Sequence, residues 1–151
     1  MSAFSAALNQ PIGHYRSHEQ TISGIIVTAE NAMLEIMVCT ETTIRVNARG
    51  LCREGADVSY KVNTGPQETD WRLEPRETRL LIHTRRLIVR IDLYPVRVSF
   101  YTPEGGLINA DEPAFGISWL GGTVTAYKSL QSYERFIGLG EKTGNLDRRN
   151  S

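Results

Sequence analysis

"LIVRIDLYPVRVSF", residues 87–100, decides how this chain folds. Leu87, Val89, Ile91 and Leu93 take every second position, with Arg86, Arg90 and Asp92 between and beside them. Tyr94 and Pro95 interrupt, and the alternation restarts as Val96, Val98 and Phe100 against Arg97 and Ser99. A period of two sends successive side chains to opposite faces of a strand, so each half predicts a strand with one dry and one wet face. Proline fixes φ and withholds a ladder donor, which places a turn between the halves.

The same pattern extends outward. Leu34, Ile36 and Val38, then Ile44, Val46 and Ala48, then Val58, Tyr60 and Val62 each alternate with polar neighbours. Turn residues punctuate them: "REGAD" at 53–57, "NTGP" at 63–66, "PEGG" at 103–106 and "GG" at 121–122. No amphipathic pattern sustains a helix of ten residues or more. Many short strands with regular turns predict an all-β chain folded as an antiparallel β-sandwich. The first twenty residues are the least patterned and are expected to form a loose arm or an edge strand; with no repeat or linker, residues 1–151 are expected to be one domain.

Charge narrows the partners. Seventeen basic and seventeen acidic side chains cancel, which removes the field that a nucleic-acid or anionic-membrane binder carries, so neither partner is expected. No run approaches the ~18 apolar residues of a membrane span, and "MSAFSAALNQPIGHYRS" lacks the basic start and apolar run of a secretion signal. The expectation is a soluble, cytoplasmic chain. Cys39 and Cys52 are expected to be reduced, partly buried thiols, and their spacing is not that of metal ligands.

Candidate chemistry is sparse. His14 and His18 are four apart, but that spacing gathers ligands only on a helix, and this segment follows Pro11 and Gly13. No metal or cofactor is expected. His83, in "LLIHTRRL", is expected on the wet side of a strand or beside a bend. No serine sits in a nucleophile elbow and neither cysteine in a catalytic setting, so no catalytic residue is assigned. Arg79, Arg85, Arg86, Arg90 and Arg97 read as a solvated sheet face paired with carboxylates such as Asp92 and Glu77, in preference to an anion site. Trp71 and Trp119 read as core in preference to sugar-stacking platforms, which remain the alternative.

The closing stretch, "YERFIGLGEKTGNLDRRN" at 133–150, abandons the alternation. Phe136 and Ile137 are read as the end of a strand, Gly138 and Gly140 as a release of the backbone, and Glu141 to Arg149 as a charged loop. This segment resembles the N-terminal domain of family 31 glycoside hydrolases, the α-glucosidase and α-xylosidase group, which ends in "GLGE" followed by an "LDRRG"-like run. "LLIHTRRLIVRI" at 80–91 and "RVSFYTPEGGLINAD" at 97–111 look like the same family's strands and glycine-turn hairpin. The likeness is strongest from about residue 80 to 150, and Asn150 stands where the family usually shows glycine.

The resemblance implies a galactose mutarotase-like (supersandwich) β-sandwich that in the whole enzyme precedes a (β/α)8 barrel. The barrel carries both the nucleophile and the acid/base carboxylate, so this chain is expected to be a non-catalytic N-terminal domain cut from a longer carbohydrate-hydrolysing enzyme. Its loop at 138–151 is expected to lead to the barrel's active-site rim, with Glu141, Lys142, Asp147, Arg148 and Arg149 meeting substrate or forming interdomain ion pairs. Glu141 and Asp147 do not qualify as the carboxyl pair that a retaining glycosidase sets about 5–5.5 Å apart. Deprived of its barrel, the isolated chain is expected to expose an apolar patch and to self-associate. Two alternatives stand beside this reading: an independent carbohydrate-binding module using Trp71, Trp119 or Tyr127, and a mutarotase-like epimerase, which needs a histidine and a carboxylate converging in a cleft.

Overall fold

The computed structural model describes residues 9–51, 69–138, 147 and 149. In chain order the first strands are β1 (Gln10–Pro11), β2 (Tyr15–Gln20), β3 (Gly24–Ala29), β4 (Ala32–Val38), β5 (Ile44–Gly50) and β6 (Arg72–Pro75). Then come β7 (Arg79–His83), β8 (Ile88–Leu93), β9 (Val96–Tyr101), β10 (Leu107–Ala110), β11 (Ile117–Leu120) and β12 (Thr123–Ala126). They form a five-stranded sheet in the order β10-β9-β8-β7-β6, a four-stranded sheet β2-β3-β4-β5 and a three-stranded sheet β1-β11-β12. Every pairing is antiparallel.

The stretch at 87–100 forms β8 and β9, paired across the Tyr94–Pro95 turn with Leu93 opposite Val96, Ile91 opposite Val98 and Val89 opposite Phe100. Its dry face meets the dry face of the four-stranded sheet. Leu80 and Ile82 of β7, Val89, Ile91 and Leu93 of β8, and Val96 and Val98 of β9 share one buried cluster with Ile25 and Val27 of β3 and Leu34, Ile36 and Val38 of β4. Each such side chain contributes roughly 1.5–3 kcal/mol by leaving water, and this shared interior makes the two sheets a sandwich. Ile44, Val46 and Ala48 of β5, the last strand of this sheet among the described residues, half-bury against the core.

Several expectations meet a different outcome. Of the unpatterned N-terminal residues, 15–20 form β2, an edge strand among the described residues and one of the two forms expected, but Ile12, 1% exposed, lies in the core. The alternation puts Arg97 and Ser99 on the wet face, yet they are only 9% and 7% exposed. Arg97 is therefore not part of a solvated basic face, because residues 112–114 fold over it. Its Nε donates to the carbonyls of Glu112 and Pro113, both at 3.1 Å, its Nη2 to Ala114 at 3.0 Å and its Nη1 to Val96 at 2.8 Å. A guanidinium carries five donors in a rigid fork, which suits it to gathering carbonyls of an irregular loop.

Phe136 and Ile137 do not end a strand. Ile137 makes an isolated antiparallel bridge to Asp147 with no ladder around it, and both side chains face out, at 42% and 59% exposure. Cys39 is buried and free. Cys52, the strand read at 58–62 and the turns at 53–57 and 63–66 lie outside the described residues.

Close approach of backbones makes one glycine indispensable. A Cβ at Gly24 would fall 2.0 Å from the carbonyl oxygen of Ile36 on the neighbouring strand. Gly24→Ala must push β3 off β4, and overpacking of this kind costs roughly 1–3 kcal/mol. A thermal melt of the variant is expected to show a clearly lowered midpoint; a midpoint equal to that of the parent would mean the two strands part without cost.

Candidate functional site

Two features stand out from the sandwich. The first is the β11–β12 hairpin together with the segment after it, a part of the chain rich in exposed apolar side chains. The hairpin turns at Gly121, whose φ of +54° lies in the region open to glycine. Leu120 and Val124, on opposite faces of the hairpin by its register, are 50% and 54% exposed, and at the hairpin's base the rings of Phe115 and Tyr127 have centroids 5.3 Å apart. Beyond the hairpin, Leu130, Tyr133, Phe136 and Ile137 are exposed as well. Eight of the thirteen large apolar side chains that stand exposed among the described residues thus fall between Phe115 and Ile137. Scattered exposure is ordinary, whereas here most of it falls in one stretch of the chain.

The scaffold beneath is polar and well tied. Asp111, 6% exposed, accepts the Val98 N–H at 2.8 Å and the Lys128 ammonium at 2.6 Å. The Ser129 N–H donates to the Ala110 carbonyl at 2.9 Å, and the Tyr133 hydroxyl donates to the carbonyl of Leu107. Asp147 accepts the N–H groups of Phe136 at 3.3 Å and Arg149 at 3.1 Å. Arg149 in turn donates to the carbonyls of Ser132 and Glu134. Asp147 and Arg149 therefore fasten the segment at 132–137, leaving its apolar side chains turned outward.

The second feature is an open depression of about 690 Å³ where the β4–β5 turn, the start of β6 and the β7–β8 turn meet. Trp71 lines it, half-buried, with its indole N–H donating to the Ile22 carbonyl at 3.2 Å. His83 lines it too, and its Nε2 lies 2.8 Å from Glu74 Oε2. The Glu74 carboxyl sits below its ordinary pKa: desolvation pushes it up, but the bonds and charges of Arg76 and then His83 outweigh that. This histidine–carboxylate pair is nine residues apart across the β6–β7 hairpin, and it becomes visible only once that hairpin's register is known.

Residues 33–151 match the family model of the glycosyl hydrolase 31 N-terminal galactose mutarotase-like domain. The chain belongs to this family. Alpha-glucosidase 2 of Bacillus thermoamyloliquefaciens is 23% identical over 138 residues, covering 91% of this chain and 18% of that protein. Among solved structures, the glycoside hydrolase 31 dextranase of Flavobacterium johnsoniae superposes with a TM-score of 0.84 at 21% identity, both in complex with glucose and, as an aspartate-to-alanine mutant, with isomaltotriose. That match covers 94% of this chain and 18% of the dextranase. The chain thus spans under a fifth of the length of each of these relatives, in which the matching part is one piece of a larger enzyme.

Within this glycosyl hydrolase 31 N-terminal domain the remaining candidate residues are dispersed. Trp119 is 6% exposed and belongs to the core, packed over Gly50, so its indole presents no open stacking face. Tyr127 lies on the apolar surface, away from the lining of the Trp71 depression. His18 sits on a strand with Nδ1 2.7 Å from the Tyr15 hydroxyl, and His14 lies against Tyr94 with ring centroids 5.9 Å apart. Among the described residues no group of three or more histidine, cysteine, aspartate or glutamate side chains converges as metal ligands would. Glu141, Lys142 and Arg148 lie outside the described residues.

Proposed function

We propose that this chain is the non-catalytic N-terminal domain of an α-glucosidase-like glycoside hydrolase. It packs on a catalytic (β/α)8 barrel through the surface between Phe115 and Ile137, and residues 138–149 lead to the rim of the barrel's active site. The observation that carries this reading is the concentration of exposed apolar side chains on a segment held by buried polar ties. Such a surface is costly to leave in water, and a second domain covers it. At the boundary Glu141, Lys142 and Arg148 supply charge for ion pairs with the barrel or for sugar hydroxyls at the rim, while Asp147 and Arg149 hold the segment that presents them. The names of the relatives, an α-glucosidase and a dextranase complexed with glucose, support a carbohydrate substrate for the whole enzyme.

Hydrolysis with retention needs two carboxyl groups about 5–5.5 Å apart across the scissile bond. Asp147 spends its carboxylate on Phe136 and Arg149, so it is a fastening group. The isolated chain is expected to hydrolyse nitrophenyl α-glucoside and α-xyloside at background rate only. Turnover by pure protein that disappears in Asp147→Asn would sink the proposal.

The test of docking is genetic and then physical. The native gene is expected to run past codon 151 into a barrel, and amides between 115 and 137 are expected to exchange more slowly in the full product than in this chain alone. A stop codon directly after Ser151, or equal exchange in both proteins, would refute the docking surface. In the isolated chain the same surface is expected to drive self-association at high concentration.

A further inference from the structure

The depression beside Trp71 shares no residue with the apolar docking surface, and the reading above assigns it no role. We propose that it is a saccharide-binding site belonging to this domain itself.

Its size is suitable: about 690 Å³ falls within the roughly 300–1,000 Å³ of small-molecule sites. Its walls are held in place before any ligand arrives. The Thr84 hydroxyl of the β7–β8 turn donates to the Glu41 carbonyl of the β4–β5 turn at 2.7 Å, and its oxygen accepts the N–H of Leu87 at 2.9 Å. That bond ties the two sheets together at this end. Glu74 holds His83, and the Ile22 carbonyl holds the only polar atom of Trp71. Trp71 therefore contributes ring carbons to the wall, from an indole that is already fixed.

The charge pattern selects the ligand class. Glu41 and Asp70 line the depression together with Arg72 and Arg85, two carboxylates with two guanidiniums, and Arg72 is also 3.4 Å from Glu74 Oε2. A site for phosphate needs cations in excess and a site for an ammonium needs carboxylates in excess; here neither sign prevails. What remains is a dense mixture of donors and acceptors around an aromatic ring. Hydroxyl groups, each both donor and acceptor, are the groups such a mixture satisfies. A pyranose ring offers an apolar C–H face to the indole and hydroxyls at its edge to the charged side chains. A neutral oligosaccharide meets every one of these features.

An NMR titration of the 151-residue chain tests the proposal, with maltotriose and isomaltotriose as probes and inorganic phosphate as the ionic control. One of the trisaccharides is expected to shift the Trp71 indole N–H and the amides of 84–86 saturably, with a dissociation constant on the order of millimolar, and phosphate is expected to leave them unmoved. Trp71→Ala is expected to weaken binding by about tenfold. Because Trp71 also packs on the core, the double variant Asp70→Ala/Arg85→Ala serves alongside it; both side chains are exposed, so the fold stays intact while binding falls severalfold. Shifts absent with both trisaccharides, reproduced by phosphate, or mapping to Tyr127 and Tyr133 would each overturn the proposal. Phe136→Asp, which strikes the docking surface, is expected to leave the titration unchanged, so failure of one reading is distinguishable from failure of the other.

Discussion

Val89→Asp is expected to unfold the domain at room temperature, while Arg90→Ala, one position along, is expected to leave it folded with a nearly unchanged melt. Val89 is 0% exposed, and its register partners are Ile82 on β7 and Phe100 on β9. A carboxylate placed among them has no cation or N–H group to meet. Burying an unpaired charge costs at least several kcal/mol, comparable with the whole stability of an ordinary domain, roughly 5–15 kcal/mol. Arg90 lies on the opposite face, where its Nε donates to Asp92 at 2.8 Å with both side chains 32% exposed. That hydrogen bond to Asp92 raises the guanidinium pKa further above its already high value, so the arginine stays charged at any working pH. A half-exposed pair of this kind contributes only about 0–1 kcal/mol. Circular dichroism through a urea titration separates the two variants, and equal midpoints would mean that β8 is inserted with its faces reversed.

That experiment depends on a face assignment already visible in the sequence, because a period of two maps directly onto the two sides of a strand. The same rule fails at Arg97 for a definite reason. Periodicity states which face a side chain takes but not what covers that face, and residues 112–114 cover it with no periodic signal of their own. Phe136 and Ile137 mislead in a related way. Two apolar residues before a glycine look like the end of a buried strand, yet with a single bridge from Ile137 to Asp147 in place of a ladder they serve the outside of the domain. The Trp71 depression was legible only as a tryptophan of uncertain role. Its walls come from three separate parts of the chain, and the carboxylate that holds His83 is found only through the β6–β7 register. The family, by contrast, showed through the closing motif, since a run of glycines and charges at fixed spacing is more specific than strand alternation.

Arg97→Ala joins the fold to the proposed docking. The guanidinium ties down the carbonyls of residues 112, 113 and 114 as well as that of Val96, from a nearly buried position. Bonds to a charged donor are each worth about 1.5–3 kcal/mol and do not add in full, so their joint loss is expected to cost about 3–5 kcal/mol, a fall of roughly 10 °C in the thermal midpoint. The damage is expected to travel. Gly116 closes the loop at φ +53°, so near Arg97 that an added Cβ would lie 2.7 Å from the guanidinium. Its carbonyl accepts the Tyr127 N–H at 2.8 Å, and the Tyr127 carbonyl accepts the Glu112 N–H at 3.0 Å. Freed of Arg97, the loop releases Phe115 and Tyr127 together, which removes the aromatic pair from the docking surface. Arg97→Lys is expected to rescue little, since one ammonium cannot reach carbonyls that a planar fork spans. In hydrogen exchange the amides of 111–116 and 127–129 are expected to lose protection while those of β3 and β4 keep theirs. If instead stability changed by less than about 1 kcal/mol and those amides stayed protected, the loop would be holding itself, and Arg97 would be a buried charge without the role given to it.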